Sequence, residues 1–398
     1  MLSGISDIMD KMADIRQLGE FGLIGKIQEI FSGVHFSGQE GVLGIGDDCA
    51  VIPVGGSWSG PETTPVSLKS TEPSVPDNAQ ESTDLLVTTD LLVENVHFLR
   101  SDADPWQVGW KSVAVNISDI AAMGGRPVGT FLSIALPKDL PADWALKFTE
   151  GYKAISERFD VPLLGGDTTS SLKDICINVA VIGMCPHGSA KLRSTACKGD
   201  LICVTGTLGD SGGGLGFVLD SAARANAVPG DPALKSNNLT TQPGNPDDAM
   251  PKDEMLQAET YLRNRHYMPT PRVPEGLILR KIDGVHAMMD VSDGIASDLR
   301  HILKASKVGA EIDIESLPIS DELKTASAGK GWNPVRLALT AGEDYELLFT
   351  CTPEALKEIK AEIKVTPIGR IIASDMPEIT YMKGGEKSAE DFMGFTHF

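Results

Sequence analysis

The chain has 398 residues, of which 41% are hydrophobic and 23% charged, and its formal net charge is -20 at pH 7. This length allows roughly two or three domains of ordinary size with a large buried core. The negative charge, with no patch of Lys and Arg to offset it, argues against nucleic acid as a partner. No apolar stretch approaches the ~18 residues that would span a bilayer, so no membrane partner is expected.

The N-terminal leader, residues 1–16, mixes charged and apolar residues and lacks the pattern of a secretory signal. A cytoplasmic location is the default expectation. The six cysteines have no CxxC spacing, which predicts reduced core residues rather than disulfides or a zinc site.

Apolar runs of strand length alternate with helical stretches along the chain, a pattern typical of mixed α and β layers. In chain order, the predicted strands are Asp84–Thr89, Val128–Leu136, Ile175–Met184, Leu201–Thr205, His286–Asp290 and Tyr345–Cys351. The predicted helices are Pro105–Met123, Pro141–Arg158, Gly294–Ser306 and Pro353–Glu362. An acid-bearing strand end followed by a helix occurs in each half, which predicts two domains facing one another across a cleft.

The domain boundary is expected near residues 186–199, so we divide the chain into an N-terminal domain, 17–188, and a C-terminal domain, 189–398. Two segments rich in small and polar residues interrupt the pattern, Pro53–Asp84 in the first domain and Ala222–Asp253 in the second. Each is interpreted as a long loop insertion. Whether they act as lids or are tolerated surface insertions is left open.

Aspartates recur at the ends of apolar runs, among residues too small to cover a carboxylate. The segments are Gly46-Asp47-Asp48, Thr88-Thr89-Asp90, Asn116-Ile117-Ser118-Asp119, Gly165-Gly166-Asp167 and Asp290-Val291-Ser292-Asp293, with Gly342-Glu343-Asp344 as a related motif. Carboxylate and hydroxyl oxygens without competing thiolates or imidazoles suit Mg2+, which proteins usually share with phosphates. The pattern therefore predicts metal-assisted phosphoryl transfer.

Three of these motifs allow a more local interpretation. On the predicted helix, Asn116 and Asp119 share one face and would reach the same ion, although a solvated polar stripe is the alternative. Because Asp47 and Asp48 are adjacent, only one of them is expected to bind an ion directly. Asp290 and Asp293 flank Ser292 before a helix whose first N–H groups are suited to phosphate, although Asp293 could instead be a helix N-cap.

Motifs of other catalytic classes are absent from the sequence, including GxSxG, HExxH and the kinase HRD loop. The glycine-rich stretch Gly206–Gly214 is neither a dinucleotide nor a P-loop fingerprint, and phosphate binding and close packing are both open for it. If the acceptor is itself a phosphate, its oxygen is already ionised and no strong general base is required. A chain rich in metal ligands and poor in obvious bases fits this chemistry.

Read together, several motifs closely resemble those of the thiamine-monophosphate kinases, a family within the aminoimidazole ribonucleotide synthetase-like superfamily. The motifs are Gly44–Ala50, Thr88–Asp90, Val96–Phe98, Asn116–Gly124, Gly165–Thr169, Gly206–Leu215, Arg265-His266 with Pro271-Arg272, Asp290–Gly294 and Gly342–Leu347. They occur in order over about residues 17–398.

The resemblance implies a two-domain α+β or mixed α/β fold and ATP-dependent transfer of the γ-phosphoryl group to thiamine monophosphate, giving thiamine diphosphate. It implies that the N-terminal domain binds ATP and magnesium and that its sheet pairs with that of a second copy in a homodimer. The ATP site would lie in a cleft near this interface.

By matching motif, the resemblance assigns catalytic roles to Asp119, Asp293 and Arg193. The implied magnesium ligands are Asp48, Thr89, Asp90, Asp119, Asp290 and Asp293. The implied ATP contacts are Gly166, Asp167, Arg193 and Ser292, and the implied contacts to thiamine are His97, Glu343 and Phe395.

Two alternative functions remain open at this point. One keeps the fold and ATP but changes the acceptor, as in selenophosphate synthetases or hydrogenase maturation factors. Neither fits well, because Cys49 follows the acid pair as an ordinary small residue and the chain ends in Thr396-His397-Phe398 rather than cysteine. The other is a magnesium- and nucleotide-binding protein without turnover.

Overall fold

A computed structural model describes residues 42–54, 82–224, 251–374, 376–390 and 392, together with isolated positions between 22 and 29. The leader, most of both predicted insertions and Phe395 lie outside the described residues.

The first sheet has five strands in the order β1-β2-β5-β3-β4. Its strands are β1 Ala50–Val54, β2 Thr83–Val93, β3 Arg126–Pro137, β4 Leu163–Ser171 and β5 Cys176–Pro186. The edge strand β4 runs parallel to β3, whereas the other pairs are antiparallel. Two helices, α1 Pro105–Ala122 and α2 Ala142–Phe159, connect β2 to β3 and β3 to β4.

Helix α1 is the central element of the molecule. Asp104 caps its N-terminus, accepting from Trp106 N and forming a capping box with Gln107, and Pro105 occupies the first turn. Nearly every residue from Val108 to Ala122 is buried, because α1 contacts β2 and β5 on one side and elements of the C-terminal half on the other. A polar side chain on α1 is therefore confined between the two halves.

The second sheet has seven strands in the order β12-β11-β8-β10-β6-β9-β7. Its strands are β6 Leu201–Thr205, β7 Val285–Asp290, β8 Gly309–Asp313, β9 Leu347–Cys351, β10 Val365–Ile372, β11 Ile379–Lys383 and β12 Glu386–Lys387. The helices of this half are α3 Asp210–Arg224, α4 Lys252–Tyr267, α5 Val273–Lys281, α6 Ile295–Ser306, α7 Asp321–Lys330, α8 Pro334–Thr340 and α9 Pro353–Glu362. A 3-10 turn, Arg193–Thr195, lies in the link between the sheets.

The predicted strands and helices correspond to described elements, with ends shifted by a few residues. The prediction for β2 stopped at Thr89, whereas the strand continues to Val93 and carries Asp90 inside the sheet. Strand β4, which contains Gly166 and Asp167, was not predicted, because an exposed edge strand with the sequence Leu-Leu-Gly-Gly-Asp-Thr-Thr-Ser-Ser has no apolar alternation. The domain limits remain a prediction.

Candidate active site

Three aspartates from distant parts of the chain meet between the two halves. Carboxylate oxygens of Asp48, Asp119 and Asp290 lie within 4.8 Å of one another. Asp48 precedes β1, Asp119 lies in the last turns of α1, and Asp290 ends β7. The cluster therefore forms only when α1 is packed between the sheets.

Arg193 is the cation that the described residues bring to this cluster. Its guanidinium Nη2 forms an ion pair with Asp48 Oδ1, and its backbone N–H donates to Asp47 Oδ1 at 2.7 Å. The two adjacent aspartates thus have separate roles, as their alternation predicts. The second oxygen of Asp48, Oδ2, is buried and has no hydrogen-bond partner among the described residues.

Two hydroxyl groups complete the immediate surroundings of the acids. Thr88 Oγ1 donates to Asp119 Oδ2 at 2.5 Å, and Ser118 Oγ donates to Asp290 Oδ2 at 2.5 Å. The second bond crosses from α1 to β7. It therefore fixes the distance between the two halves where the acids meet.

Burial and mutual repulsion raise the pKa values of the clustered carboxyl groups. Burial first, and then the charges of Asp48 and Asp293, raise the pKa of Asp90 to about 6. Burial and Asp48 raise the pKa of Asp290 to about 8. Burial, followed by Asp90 and Asp290, raises the pKa of Asp119 well above its usual value. Full ionisation of these carboxyl groups therefore needs more positive charge than the neighbouring residues supply, which favours the binding of cations.

The donor set fits magnesium. The acids and hydroxyls offer hard oxygen ligands, and the unpartnered Asp48 Oδ2 points to a missing positive partner. Asp90 belongs to the same electrostatic group, because Asp48 and Asp293 both affect its pKa.

The motifs around Asp290 and Glu343 are bonded to one another through their backbones. Tyr345 N donates to Val291 O at 2.9 Å, and Glu343 N donates to Ser292 O at 2.8 Å. A Cβ on Gly342 would lie 2.0 Å from Ser292 O, so only glycine permits this approach. Glu343 itself has a φ of 64°, an uncommon conformation that holds its side chain towards α1.

Asp293 is not the helix N-cap, which was the alternative for this residue. Gly294 is the N-cap of α6 and makes no side-chain capping bond. The backbone N–H of Asp293 instead donates to Asp298 Oδ2 at 3.1 Å. Asp293 adds negative charge near Asp90, as its effect on the pKa of that residue indicates.

Glu343 is held by a buried lysine from the other half of the molecule. Lys111 Nζ of α1 lies 2.8 Å from Glu343 Oε1, and the lysine side chain is only 1% exposed. His266 Nδ1 lies 3.4 Å from Glu343 Oε2 and 3.0 Å from Ser211 Oγ. Burial alone would raise the pKa of Glu343, but the pKa is lowered, mainly by the charge of Lys111. Glu343 is therefore held as an anion.

Two of the predicted site residues lie on the other face of the first sheet. Thr89 Oγ1 accepts from Asn178 Nδ2 at 2.8 Å and faces away from Thr88 and Asp119. The register pairs Asn178 with Ser133, and Ser133 with Asp167, so the side chains of Thr89 and Asp167 share one sheet face. Gly166 on β4 is in register with Asp90 on β2, with β5 and β3 between them. Three strand spacings separate the backbones of the two residues by about 14 Å.

The structure thus separates the predicted residues into two groups. Asp48, Asp90, Asp119 and Asp290 converge on the helix side of the sheet with Arg193, while Thr89 and Asp167 lie on its open face. Asn116 Nδ2 donates to Ser112 O of its own helix at 3.1 Å, and its Oδ1, the atom that would bind an ion, is buried with no hydrogen-bond partner among the described residues. An ion shared by Asn116 and Asp119 therefore stays a prediction. Phe395 lies outside the described residues.

Sequence reasoning missed several residues of the site. Thr88, Ser118, Lys111 and His266 all contact a predicted site residue. Thr88 and Ser118 stand next to acids in the quoted motifs, and alternation along β2 would have placed Thr88 on the buried face. No sequence signal identified Lys111, because a lysine within an apolar helix becomes informative only when its partner is known.

Comparison with known families agrees with this two-part architecture. Residues 46–185 match the family model described as AIR synthase related protein, N-terminal domain. Residues 248–382 match the model described as AIR synthase related protein, C-terminal domain. The fold and the site between its halves thus define a two-domain protein of the AIR synthase related class, and the predicted mixed α/β fold is confirmed.

The full-length relatives narrow the class. The chain is 35% identical over 386 residues to thiamine-monophosphate kinase of Escherichia coli (strain K12), covering 96% of this chain and 98% of the relative. It is 34% identical over 357 residues to thiamine-monophosphate kinase of Aquifex aeolicus (strain VF5), covering 90% and 92%. The chain belongs to the thiamine-monophosphate kinase family, which confirms the resemblance inferred from its motifs.

Solved structures support the same assignment. AaThiL complexed with AMPPCP and TMP superimposes with a TM-score of 0.72 at 31% identity, covering 98% of this chain and 100% of that one. The hydrogenase maturation protein HypE in complex with ATP has a TM-score of 0.56 at 15% identity, which shows a shared fold alone. Within the described part of the chain, no helix has both the length and the apolar character needed to cross a membrane.

Proposed function

We propose that this chain is an ATP-dependent kinase that transfers the γ-phosphoryl group of ATP to the phosphate of thiamine monophosphate, yielding thiamine diphosphate and ADP. Family membership supports the two substrates, since relatives at 35% identity are thiamine-monophosphate kinases and a structural neighbour was solved with AMPPCP and TMP. The observation that carries the proposal is the meeting of Asp48, Asp119 and Asp290 from both halves around one point beside Arg193.

The proposed reaction is a direct in-line transfer. An oxygen of the acceptor phosphate forms a bond to the γ-phosphorus, while the bond from that phosphorus to the oxygen bridging the β- and γ-phosphates breaks. The acceptor oxygen is already ionised, so the protein needs no strong general base and acts by alignment and charge neutralisation. This agrees with a site whose polar groups are mainly carboxylates, hydroxyls and one guanidinium.

Magnesium is the proposed metal, bound as several ions, with Asp48, Thr89, Asp90, Asp119, Asp290 and Asp293 as the proposed ligands. When bound, magnesium would neutralise charge on the phosphates and bridge them to the carboxylates. Asp48, Asp90, Asp119 and Asp290, of which Asp290 is fully buried, contribute a set of carboxylate oxygens for this purpose. Thr89 lies on the open sheet face, away from Asp119. Its proposed role is therefore to bind an ion on that face.

For ATP, the proposed contacts are Gly166, Asp167, Arg193 and Ser292. Arg193 combines a buried guanidinium with an ion pair to Asp48, and Asp48 keeps it oriented towards the acids. Burial would lower the pKa of Arg193, but Asp48 outweighs this and raises it. A permanently charged, oriented donor is suited to phosphate oxygens.

The proposed thiamine contacts within the described residues are His97 and Glu343, and Phe395 remains a prediction. Glu343 is an anion because of Lys111, and an anion next to the thiamine ring would favour its positive charge. Lys111 is therefore proposed to position the carboxylate rather than to touch the substrate.

A homodimer is proposed through the open face of the first sheet. This face carries Leu91 and Phe131, which are 53% and 39% exposed, and no described element covers it. Apolar side chains on an uncovered sheet face favour association with a second copy. Thr89, a proposed magnesium ligand, and Asp167, a proposed ATP contact, lie on this face. The proposed dimer would therefore place both residues near the interface.

The activity is tested by incubating the purified chain with ATP, Mg2+ and thiamine monophosphate and measuring thiamine diphosphate and ADP. Equal amounts of the two products are expected. Reactions without Mg2+, and reactions with unphosphorylated thiamine, serve as controls and should give no thiamine diphosphate. Formation of ADP without thiamine diphosphate would point to a different acceptor. If no ATP is consumed, the chain would be a nucleotide-binding protein without kinase activity.

A further inference from the structure

A second cluster of metal-ligating side chains lies in the C-terminal half. It is separate from the cluster of Asp48, Asp119 and Asp290, which we call the acid cluster. One ligand atom each from Cys197, Asp200 and His286 lies within 4.8 Å of the other two. Cys197 and Asp200 belong to the turn before β6, and His286 lies in β7. Three residue types that bind transition metals are thus brought together by a turn and a strand distant in sequence.

The turn that carries two of these ligands is rigidly built. Cys197 N donates to Asp200 Oδ2 at 2.8 Å, and Asp200 N donates to Cys197 O at 3.1 Å. The backbone of Asp200 also accepts from Ile371 N at 2.8 Å, which attaches the turn to β10. The Asp200 side chain is only 3% exposed and so has little freedom to turn away.

The strand that carries the third ligand is tied to the same segment. Thr195 Oγ1 donates to His286 O at 3.0 Å, and Leu192 forms a bridge with Ala287. His286 Nδ1 lies 3.0 and 2.9 Å from the two carboxylate oxygens of Asp200. The three ligand-bearing positions are therefore held before any ion arrives, which lowers the cost of binding.

The spacing agrees with a tetrahedral ion. Bonds of about 2.0 to 2.3 Å to nitrogen, oxygen and sulfur separate neighbouring ligand atoms by about 3.3 to 3.8 Å. The observed His286 to Asp200 distance needs an outward movement of only a few tenths of an ångström. Cys197 is exposed and His286 partly exposed, so solvent can supply the fourth ligand.

We propose that Cys197, Asp200 and His286 form a binding site for a divalent transition metal ion of the zinc type, with three protein ligands and one solvent ligand. The thiolate and imidazole distinguish this site from the all-oxygen acid cluster, because these softer ligands favour Zn2+ or Co2+ over Mg2+. Binding replaces the thiol proton of Cys197, so one proton is released for each ion bound. The competing interpretation is a hydrogen-bonded pair of His286 and Asp200, with the Cys197 thiol donating to Thr195 O at 3.6 Å and binding no metal.

The test uses Co2+ added to the full chain after chelator treatment and dialysis, in buffer containing excess Mg2+ to occupy the acid cluster. A thiolate-to-cobalt charge-transfer band in the near ultraviolet is expected to saturate at one equivalent, and added Zn2+ should abolish it. Only sulfur ligation gives this band, so cobalt held by aspartates does not contribute to it.

Three variants make the result specific. Cys197→Ser should remove the band, and His286→Ala should weaken cobalt binding by 10-fold or more. Cys176→Ser, which removes a partly buried thiol of the other sheet, should retain the full band. Far-ultraviolet circular dichroism of each variant checks that it is folded.

Several results would overturn the proposal. These are the absence of the band in the folded wild-type chain, its persistence in Cys197→Ser, and its loss in Cys176→Ser alone. A Zn2+-dependent rise in melting temperature that is present in the wild type and lost in Cys197→Ser would support it independently of the spectrum.

Discussion

Two buried groups of charged residues lie in this molecule, and they differ in how their charges are balanced. In the first group, Asp48, Asp119 and Asp290 of the acid cluster and the neighbouring Asp90 are accompanied by Arg193. In the second group, Glu346 is surrounded by two arginines. Arg265 Nη2 lies 2.8 Å from Glu346 Oε1, and Arg272 makes two bonds of 2.6 Å to the same carboxylate.

Glu346 and Asp290 show opposite pKa shifts although both are buried. Burial would raise the pKa of Glu346, but Arg272 and Arg265 outweigh it and lower the pKa. Burial and neighbouring acids raise the pKa of Asp290 to about 8. The balanced group has two arginines and two acids within the chain, because Asp210 lies 3.5 Å from Arg265 in addition to Glu346. The unbalanced group has four acids beside one arginine, which favours the binding of cations from outside. The unbalanced group is therefore the one suited to ligand binding.

The largest effect is expected from breaking the balanced group. Glu346→Gln leaves Arg265 and Arg272 buried near each other without their shared anion. The free energy of unfolding should fall by about 3 to 5 kcal/mol, as when one partner of a buried ion pair is removed. Urea denaturation measures this change. Glu275→Gln is the matched control, because Glu275 lies 3.5 Å from Arg272 and is partly exposed. Similar small losses in both variants would contradict the assigned role of Glu346.

Removing one acid of the unbalanced group should act on turnover instead of stability. Asp119→Asn is expected to lower the rate of thiamine diphosphate formation by about 10²- to 10³-fold, the usual loss for one electrostatic contact in a reaction site. The fold should remain intact, because the change also removes repulsion from Asp90 and Asp290. Asp143→Asn, at an exposed helix position, should keep the wild-type rate. A near-normal rate in Asp119→Asn would exclude Asp119 from the metal site.

Magnesium should stabilise the chain through the acid cluster. At a free Mg2+ concentration of about 100 times its dissociation constant, the free energy of unfolding should rise by about 2.7 kcal/mol. Thermal unfolding with and without Mg2+ measures this rise. Asp48→Asn should lose most of it, since Asp48 Oδ2 is the buried oxygen lacking a partner. An equal rise in the variant would place the stabilising ion elsewhere.

A smaller effect is expected at His266, which lies beside Lys111 and Glu343. Burial first, and then Lys111, lower the pKa of His266 to about 3 from an ordinary value of 6.5. Between these two pH values the unfolded chain binds a proton that the folded chain does not. Stability should therefore be full above pH 6.5 and fall on acidification, by up to about 1.4 kcal/mol per pH unit.

The measurement for His266 compares denaturation of the wild type with that of His266→Asn from pH 4.5 to 8. The wild type should lose stability more steeply below pH 6.5, and the two curves should be parallel above it. Asn is chosen because its amide is expected to replace the ring nitrogen that lies 3.0 Å from Ser211 Oγ. Parallel curves over the whole range would show that His266 is not held neutral in the folded chain.

Much of the fold followed from local patterns. Helix α1 was predicted with its observed first residue and within one residue of its observed last residue. Asp104, Pro105 and Gln107 form a local signal for its start. Strand β4 could not be predicted, because its sequence has no periodic apolar face and only pairing with β3 makes it a strand. The motifs identified Asp48, Asp119 and Asp290 as candidates, but no spacing along the chain indicated that they meet.

The sequence by itself determined the elements and the chemistry, since helix and strand periodicity, caps and the oxygen-rich motifs are local properties of neighbouring residues. Only the tertiary structure decided which oxygens face one another. The alternation along β2 sends Thr88 to Asp119 and Thr89 to the open face. The burial of α1 between two sheets brings Ser118 to Asp290 and Lys111 to Glu343. Contacts of this kind depend on the packing of segments more than 150 residues apart, and electrostatic energies depend on the distances that this packing sets.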